Sequence, residues 1–275
     1  MQIERTAVQK SQEVSALLEN PNSRIFAGGT TFPQEAEEQI HLVDISALQG
    51  MDGIRQKGTR IEIGPLATLS SLSASSLLKT LAPALAEAAG SASEEIRTKG
   101  TLGGNLADAR IGDTAVALLA NGAKLTIKTG TDFRELLLDR FWSKNGKNDL
   151  QYDEWITRIT LQTPKEMFWG SAFGKAGEWD RQEVPAAAAV WMSINERSII
   201  SSVRGALRTG AGRICRMFPL EKALKNQTAD EGTFARAVSA MGGMVKEAAA
   251  GSELPELITT LLQRSLRMAE ERRTL

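Results

Sequence analysis

The first 130 residues combine short strand-like and helix-like patterns of apolar positions. Alternating apolar and polar residues predict strands, namely residues 25–27, 41–45, Arg60–Ile63 and 124–128. Apolar residues at helical spacing predict four helices, one beginning at Ser11 and the others at residues 69–78, 81–89 and 114–120. Ser11 and Asp113 are the predicted caps of the first and last helix. Because long βαβ repeats are missing from this order, the pattern argues against a doubly wound parallel sheet.

The pattern changes after about residue 155. A strand at residues 156–161 is closed by Thr163-Pro164, and residues 185–194 and 199–207 predict a hairpin. Helical spacing follows in two segments, one marked by Phe234, Val238, Met241 and Val245 and the other beginning at Pro255. We therefore predict an α+β protein with two domains, residues 1–165 and 166–275. The second domain is a small β-meander followed by helices.

Composition restricts the classes of function. The chain has 33 Lys plus Arg and 33 Asp plus Glu, and the resulting zero net charge disfavours binding to nucleic acid. No apolar run approaches the ~20 residues of a membrane span, and the N-terminus lacks the apolar core of a signal peptide. We expect a cytoplasmic protein. His41 and Cys215 are the only histidine and cysteine, which argues against disulfides, histidine-based triads and histidine- or thiolate-rich metal sites.

Two loops with paired glycines carry the candidate chemistry. The first contains Ala27, Gly28, Gly29, Thr30 and Thr31, and the second runs Thr101-Leu-Gly-Gly-Asn105. Glycine pairs let backbone N–H groups approach a ligand where a Cβ would clash. Backbone N–H groups, with Thr and Asn side chains, donate hydrogen bonds to anionic oxygens such as those of a diphosphate. The pair of loops predicts a nucleotide that is bound from two sides.

Other nucleotide-binding motifs fit poorly. The run Gly100-Thr-Leu-Gly-Gly104 does not match G-x-G-x-x-G, and no long strand precedes it, which argues against a Rossmann fingerprint. Gly174-Lys175-Ala176 resembles the end of a Walker A loop. However, Trp169 replaces its first glycine, and Ala176 replaces the hydroxyl residue that binds magnesium. The sequence therefore argues against a kinase or an ATPase.

The order and setting of the two glycine loops resemble the FAD-binding medium subunit of the molybdenum hydroxylases, the family of xanthine dehydrogenase and carbon monoxide dehydrogenase. The resemblance covers nearly the whole chain. The most specific match is Ile96-Arg-Thr-Lys-Gly-Thr-Leu-Gly-Gly-Asn-Leu106, and Arg24-Ile-Phe-Ala-Gly-Gly-Thr-Thr-Phe32 is similar to the first FAD loop of the family. The segment Ser171-Ala-Phe-Gly-Lys175 is similar to a segment whose lysine approaches the flavin. The implied fold is a two-part FAD-binding domain followed by the small C-terminal domain.

The resemblance also implies a set of FAD-binding residues. Ile25 and the segment Ala27, Gly28, Gly29, Thr30, Thr31 and Phe32 would surround the diphosphate and flank the flavin. Thr101, Gly104 and Asn105 would hold the diphosphate from the other side. Asp113 would meet the adenosine ribose or nearby groups, Ile156 would pack near the dinucleotide, and Lys175 would lie near the isoalloxazine edge.

Two departures from the family pattern fall close to these residues. The acidic residue usually lies nine positions after the motif asparagine, in a turn with proline, whereas Asp113 lies eight positions after Asn105 in a turn without proline. Gly177-Glu-Trp-Asp-Arg181 replaces the basic pair that usually follows the lysine segment.

The resemblance implies an electron-transfer subunit without catalytic residues of its own. A molybdopterin-binding large subunit would oxidise a substrate, and a [2Fe–2S] small subunit would pass electrons to noncovalent FAD and then to NAD⁺. One alternative is a stand-alone flavin reductase of the UDP-N-acetylenolpyruvoylglucosamine type, and another is a flavin-free homologue. Tryptophans near the domain junction are either core residues or part of a docking surface, namely Trp142, Trp155, Trp169 and Trp179.

Overall fold

The protein is described by a computed structural model that covers residues 2–30, 39–108, 112–143, 146–177, 184–248 and 253–274. Thr31 and Phe32 of the first glycine loop and Trp179 of the junction therefore lie outside the described residues. None of the helices within these ranges is both long and apolar enough to cross a membrane.

The chain begins with a small parallel sheet covered by one helix. Its strands are β1 (Gln2–Ala7), β2 (Ser23–Phe26) and β3 (Gln39–Asp44), in the order β1-β3-β2, and α1 (Ser11–Leu18) lies between β1 and β2 in sequence. The apolar face predicted for α1 is confirmed, because Val14 and Leu18 are buried against Val43 and Trp155. The predicted cap is wrong. Ser11 is the first helical residue, and Glu13 accepts the N–H of Lys10 instead.

A five-stranded antiparallel sheet follows. It contains β4 (Ile54–Lys57), β5 (Arg60–Ile63), β6 (Lys124–Thr129), β7 (Asp132–Leu137) and β8 (Glu154–Gln162), in the order β4-β5-β8-β6-β7. Leu138–Arg140 forms a short 3₁₀ turn after β7. Alternate residues of the central strands, such as Ile61, Ile63 and Leu125, are buried on one face of this sheet.

Six helices connect β5 to β6 and contribute most of the core on that face. They are α2 (Leu69–Ala74), α3 (Ser76–Leu81), α4 (Pro83–Gly90), α5 (Glu94–Lys99), α6 (Leu102–Ala107) and α7 (Asp113–Ala120). All eight residues of α7 are buried, as expected of a helix that is apolar nearly all round. The single helix predicted at residues 69–78 is wrong. Ser75 interrupts it, since its extended backbone and its hydroxyl cap α3 at the Leu78 N–H.

The last part of the chain is an antiparallel meander followed by helices, as the sequence predicts. The strands β9 (Phe168–Ala176), β10 (Ala186–Ile194), β11 (Ile200–Arg208) and β12 (Ile214–Arg216) are adjacent in that order. The helices are α8 (Phe218–Leu224), α9 (Glu231–Ser239), α10 (Gly242–Glu247) and α11 (Glu253–Arg273). The apolar spacing from Phe234 to Val245 therefore spans two helices, because the chain turns at Ala240 and Met241.

Both faces of β10 are covered, and all nine of its residues are buried. Ala187 and Ala189 belong to the core formed with the α2–α7 helices, whereas Ala188 and Val190 belong to the core formed with α8–α11. The helix α11 approaches β9 closely at Gly170, where any Cβ would overlap the carbonyl oxygen of Ser265. The meander is thus a layer between two groups of helices.

Candidate functional site

The first glycine loop presents unused backbone donors at the end of β2. Within the described residues, the N–H groups of Gly28, Gly29 and Thr30 donate no hydrogen bond. Gly29 and Thr30 are exposed, and Gly29 has a φ of +66°, a conformation that favours glycine. Successive unpaired N–H groups at an exposed turn are the donors that a diphosphate requires.

The two glycine loops meet each other through their backbones. A Cβ on Gly28 would overlap the carbonyl oxygen of Lys99, and it would lie 3.3 Å from the Cα of Gly100. The Gly100 carbonyl in turn accepts the N–H of Leu69 at 3.0 Å, which ties the segment to α2. Glycine at position 28 is therefore required by this close approach. The structure places both predicted loops at one location.

The second loop is more helical and less open than the sequence predicts. Thr101 caps α6, its hydroxyl accepting the N–H of Gly104 at 3.2 Å, and the N–H of Gly103 donates to the Pro65 carbonyl at 2.8 Å. Asn105 is buried, and its Oδ1 accepts both the N–H and the hydroxyl of Thr114. The N–H groups of Gly103 and Gly104 already have partners in the protein, whereas Thr101 and Asn105 act as acceptors in these contacts. The contribution of Thr101, Gly104 and Asn105 to a diphosphate stays a prediction.

Asp113 and Lys175 lie next to each other, although the resemblance gives them different parts of the cofactor. Asp113 is the first residue of α7 rather than its cap. Its carboxylate accepts the hydroxyl of Ser91 at 2.9 Å and the Nζ of Lys175 at 3.1 Å. Lys175 also donates to the carbonyl of Ser91 at 3.1 Å. Their joint position is fixed by the packing of α7 on β10 and β11 and by the pairing of β9 with β10.

Sequence reasoning missed the third member of this group, Arg208. Its side chain is 1% exposed, and its Nη1 lies 2.6 Å from the Oδ1 of Asp113. The contact is an ion pair without hydrogen-bond geometry, since neither atom has a hydrogen-bond partner among the described residues. Nη2 donates to the carbonyl of Pro185 at 2.8 Å. Arg208 lies at the end of an apolar strand, and nothing in the local sequence marks it as a site residue. Only the strand register brings it to Asp113.

The remaining predicted contacts are divided between surface and core. Ile25 is exposed in β2, where it can contact a ligand. Ile156 is buried in the core beside the five-stranded sheet. Trp155 and Trp169 are buried as well, and Arg272 stacks over the Trp169 ring. Trp142 is partly buried and packs on Phe141. Trp155 and Trp169 are therefore core residues, and Trp142 packs against the core.

Asp44 anchors the small sheet beside the first loop. Burial raises the pKa of this carboxyl, but hydrogen bonds from Ser46 and from the Arg5 guanidinium lower it by more. The net result is a pKa below the usual value. The single histidine lies in β3, within the strand that the sequence predicts at residues 41–45. The ring nitrogens of His41 contact the hydroxyls of Thr6 and Ser23 at 2.9 and 3.1 Å.

A cavity of about 430 Å³ lies away from the glycine loops. Its wall includes Arg55, Glu62 and Arg158 from the other face of the five-stranded sheet. We place the candidate site at the glycine loops rather than in this cavity, because the loops carry the unused donors and the cavity wall carries none of the predicted residues. No group of three or more potential metal ligands occurs in the described part of the chain.

The fold is that of the flavoprotein chains of molybdenum-containing dehydrogenases. It matches a chain of carbon monoxide dehydrogenase from Hydrogenophaga pseudoflava with a TM-score of 0.82 and 23% identity, over 99% of this chain and 98% of that one. Residues 2–164 match the family described as the FAD binding domain in molybdopterin dehydrogenase, and the protein belongs to this family.

Two relatives show how far the similarity extends in sequence. The chain is 29% identical over 185 residues to the xanthine dehydrogenase FAD-binding subunit of Escherichia coli O157:H7, covering 65% of this chain and 63% of that subunit. It is 26% identical over 153 residues to the carbon monoxide dehydrogenase medium chain of Hydrogenophaga pseudoflava, covering 55% and 50%. The aligned region thus spans less than two thirds of either relative.

Proposed function

We propose that the protein is the FAD-binding electron-transfer subunit of a multi-subunit molybdenum hydroxylase. The observation that carries the proposal is the set of unpartnered N–H groups at Gly28, Gly29 and Thr30, held against the second glycine loop in a chain of the FAD-binding family. These donors fit the diphosphate of FAD. The close backbone approach of Gly28 to Lys99 and Gly100 holds the loop in place, so its N–H groups are preorganised for an anion.

The residues of this chain bind and orient the cofactor. The N–H groups of the first loop hold the diphosphate, with Ile25, Ala27, Thr31 and Phe32 beside it. Thr101, Gly104 and Asn105 close the site from the second loop. Bound FAD accepts electrons singly or in pairs, which suits a junction between an iron–sulfur donor and a nicotinamide acceptor. The chain itself needs no acid or base for this role.

The partners follow from the same proposal. A molybdopterin-binding large subunit oxidises a purine-like or aldehyde-like substrate, a [2Fe–2S] small subunit delivers the electrons, and NAD⁺ is the acceptor. Relatives named as subunits of xanthine dehydrogenase and carbon monoxide dehydrogenase support this assembly. We place the complex in the cytoplasm. We also keep residues 1–165 and 166–275 as the proposed FAD-binding and C-terminal domains.

Reconstitution tests the proposal directly. The purified chain should show the visible absorption of bound flavin and should oxidise no substrate alone. Adding the molybdenum and iron–sulfur subunits should produce substrate-dependent NAD⁺ reduction. Turnover of a substrate with NAD(P)H by the chain alone, at about 1 s⁻¹ or more, would instead establish the stand-alone reductase. A chain that takes up no flavin from added FAD would establish the flavin-free homologue.

A further inference from the structure

Three strands place two cations on either side of a small residue. In the meander, Lys175 of β9 pairs with Ala187 of β10, and Ala187 pairs with Arg208 of β11. The three residues therefore form one row across the sheet and point to the same face. The alanine side chain is short, and the start of α7 packs over it. The carboxylate of Asp113 lies between the two cations and contacts both.

This group has a surplus positive charge. It contains one guanidinium, one ammonium and one carboxylate, hence a net charge of +1, and no further charged partner of these three residues occurs among the described residues. Arg208 is buried, and its Nε has no hydrogen-bond partner in the same set of residues. The Lys175 side chain is 24% exposed and is the most solvent-accessible of the three.

The charged group adjoins the second glycine loop. Asp113 is followed by Thr114, whose N–H donates to Asn105 of that loop at 3.1 Å. Gly112 on the other side of Asp113 is equally close, since a Cβ there would lie 3.1 Å from the Asn105 carbonyl oxygen. Because Asp113 lies between two residues that contact Asn105, the net positive charge of the group should attract an anion bound at the glycine loops.

We infer that Arg208 is a positioning residue for the cofactor site. By neutralising Asp113, it leaves the positive charge of Lys175 uncompensated. Lys175 contacts Asp113, whose neighbour Thr114 contacts Asn105 of the second glycine loop, and through this proximity its charge attracts the anionic FAD. Without Arg208, Asp113 and Lys175 would cancel each other. The inference rests on the proposed binding of FAD at the glycine loops.

The test is a charge-balance cycle on the flavin-free protein, with the Kd for FAD measured by quenching of flavin fluorescence. Arg208→Met lowers the net charge of the group to zero and should raise the Kd about tenfold. Asp113→Asn/Arg208→Met returns the net charge to +1 and should bind FAD more tightly than Arg208→Met alone. The single variant is the reference because Asp113 is itself a predicted FAD contact, and neighbouring substitutions are not additive. A purely structural Arg208 would leave the double variant at least as weak as the single one, and this result would overturn the inference.

A second variant avoids the buried arginine. Lys175→Gln also lowers the net charge to zero, at a partly exposed position, and should weaken FAD binding to the same extent. Lys124→Gln is the matched control, because Lys124 also has a carboxylate partner, Glu135 at 2.8 Å, but lies at β6 outside the group. Equal Kd values for both lysine variants would overturn the inference while leaving the proposed function in place. If the wild-type chain binds no FAD, the proposed function fails first and the inference falls with it.

Discussion

The carbonyl oxygen of Lys99 occupies the space in which a side chain on Gly28 would begin. This contact joins the end of α5 to the first glycine loop, and so it joins the two loops that the sequence places about 70 residues apart. It also makes position 28 the most sensitive point of the proposed cofactor site.

Gly28→Ala should separate the loops and abolish FAD retention, because the new methyl group displaces the Lys99 backbone. We expect a loss of about 1–3 kcal/mol in stability, typical of overpacking. The flavin-to-protein ratio after gel filtration measures retention. Gly243→Ala is the matched control, since nothing lies within 4 Å of a Cβ at that position. Full flavin occupancy in Gly28→Ala would contradict the assignment of the site.

The flavin should be released by acid or heat, because the structure offers no histidine or cysteine for covalent attachment in the described part of either loop. Both nitrogens of the His41 ring are engaged by hydroxyls in the small sheet, and Cys215 lies in β12. Precipitation with acid should leave all flavin absorbance in the supernatant. Fluorescence that stays with the polypeptide band on a denaturing gel would show that this prediction is wrong.

Acid should destabilise the small sheet through Asp44. The pKa of this carboxyl is lowered from 3.8 in the folded protein, so its stabilising contribution is present above that value and is lost as the pH falls through the folded pKa. Asp44→Asn removes the titration. Urea unfolding between about pH 6 and pH 3 should show a smaller loss of stability on acidification for the variant than for the wild type. Parallel losses in the two proteins would assign the acid sensitivity to other carboxyls.

The ion pair of Arg264 and Glu87 should couple α11 to α4. Arg264 donates to Glu87 at 2.6 Å and to the Phe173 carbonyl at 3.1 Å, and Glu87 accepts the Phe173 N–H at 2.9 Å. Both side chains are partly exposed, so we expect a coupling free energy of only about 1 kcal/mol. A double-mutant cycle with Glu87→Ala and Arg264→Ala, followed by denaturant unfolding, measures it. Strict additivity of the two substitutions would show that the pair is not coupled.

The sequence predicts elements whose signals are local. The hairpin of β10 and β11 follows from two apolar runs around a polar turn, and Arg60–Ile63 follows from strict alternation. The break at Ser75 also has a local cause, since a serine that can cap a new helix competes with a continued one. The apolar spacing alone favours continuation, which explains the wrong prediction.

The arrangement of the candidate site depends on contacts between residues that are distant in sequence. The local sequence therefore does not predict which site residues lie together. Asp113 and Lys175 are 62 positions apart, and only the packing of α7 across the meander brings them together. Arg208 enters the same group through the register of β10 and β11. The pattern of apolar residues predicts a strand that ends at residue 207, next to Arg208, but it contains no information about which helix covers that end.

The run of four alanines at the start of β10 packs against helices of both proposed domains. Because successive alanines face the α2–α7 helices and the α8–α11 helices in turn, a larger residue at any of them pushes one half of the molecule away from the other. A chimera that joins residues 1–165 of this protein to the segment of a distant relative that corresponds to residues 166–275 would bring together surfaces shaped for different partners. Exchange of segments between relatives is therefore expected to give a folded protein only when β10 and the helices on both of its faces come from the same relative.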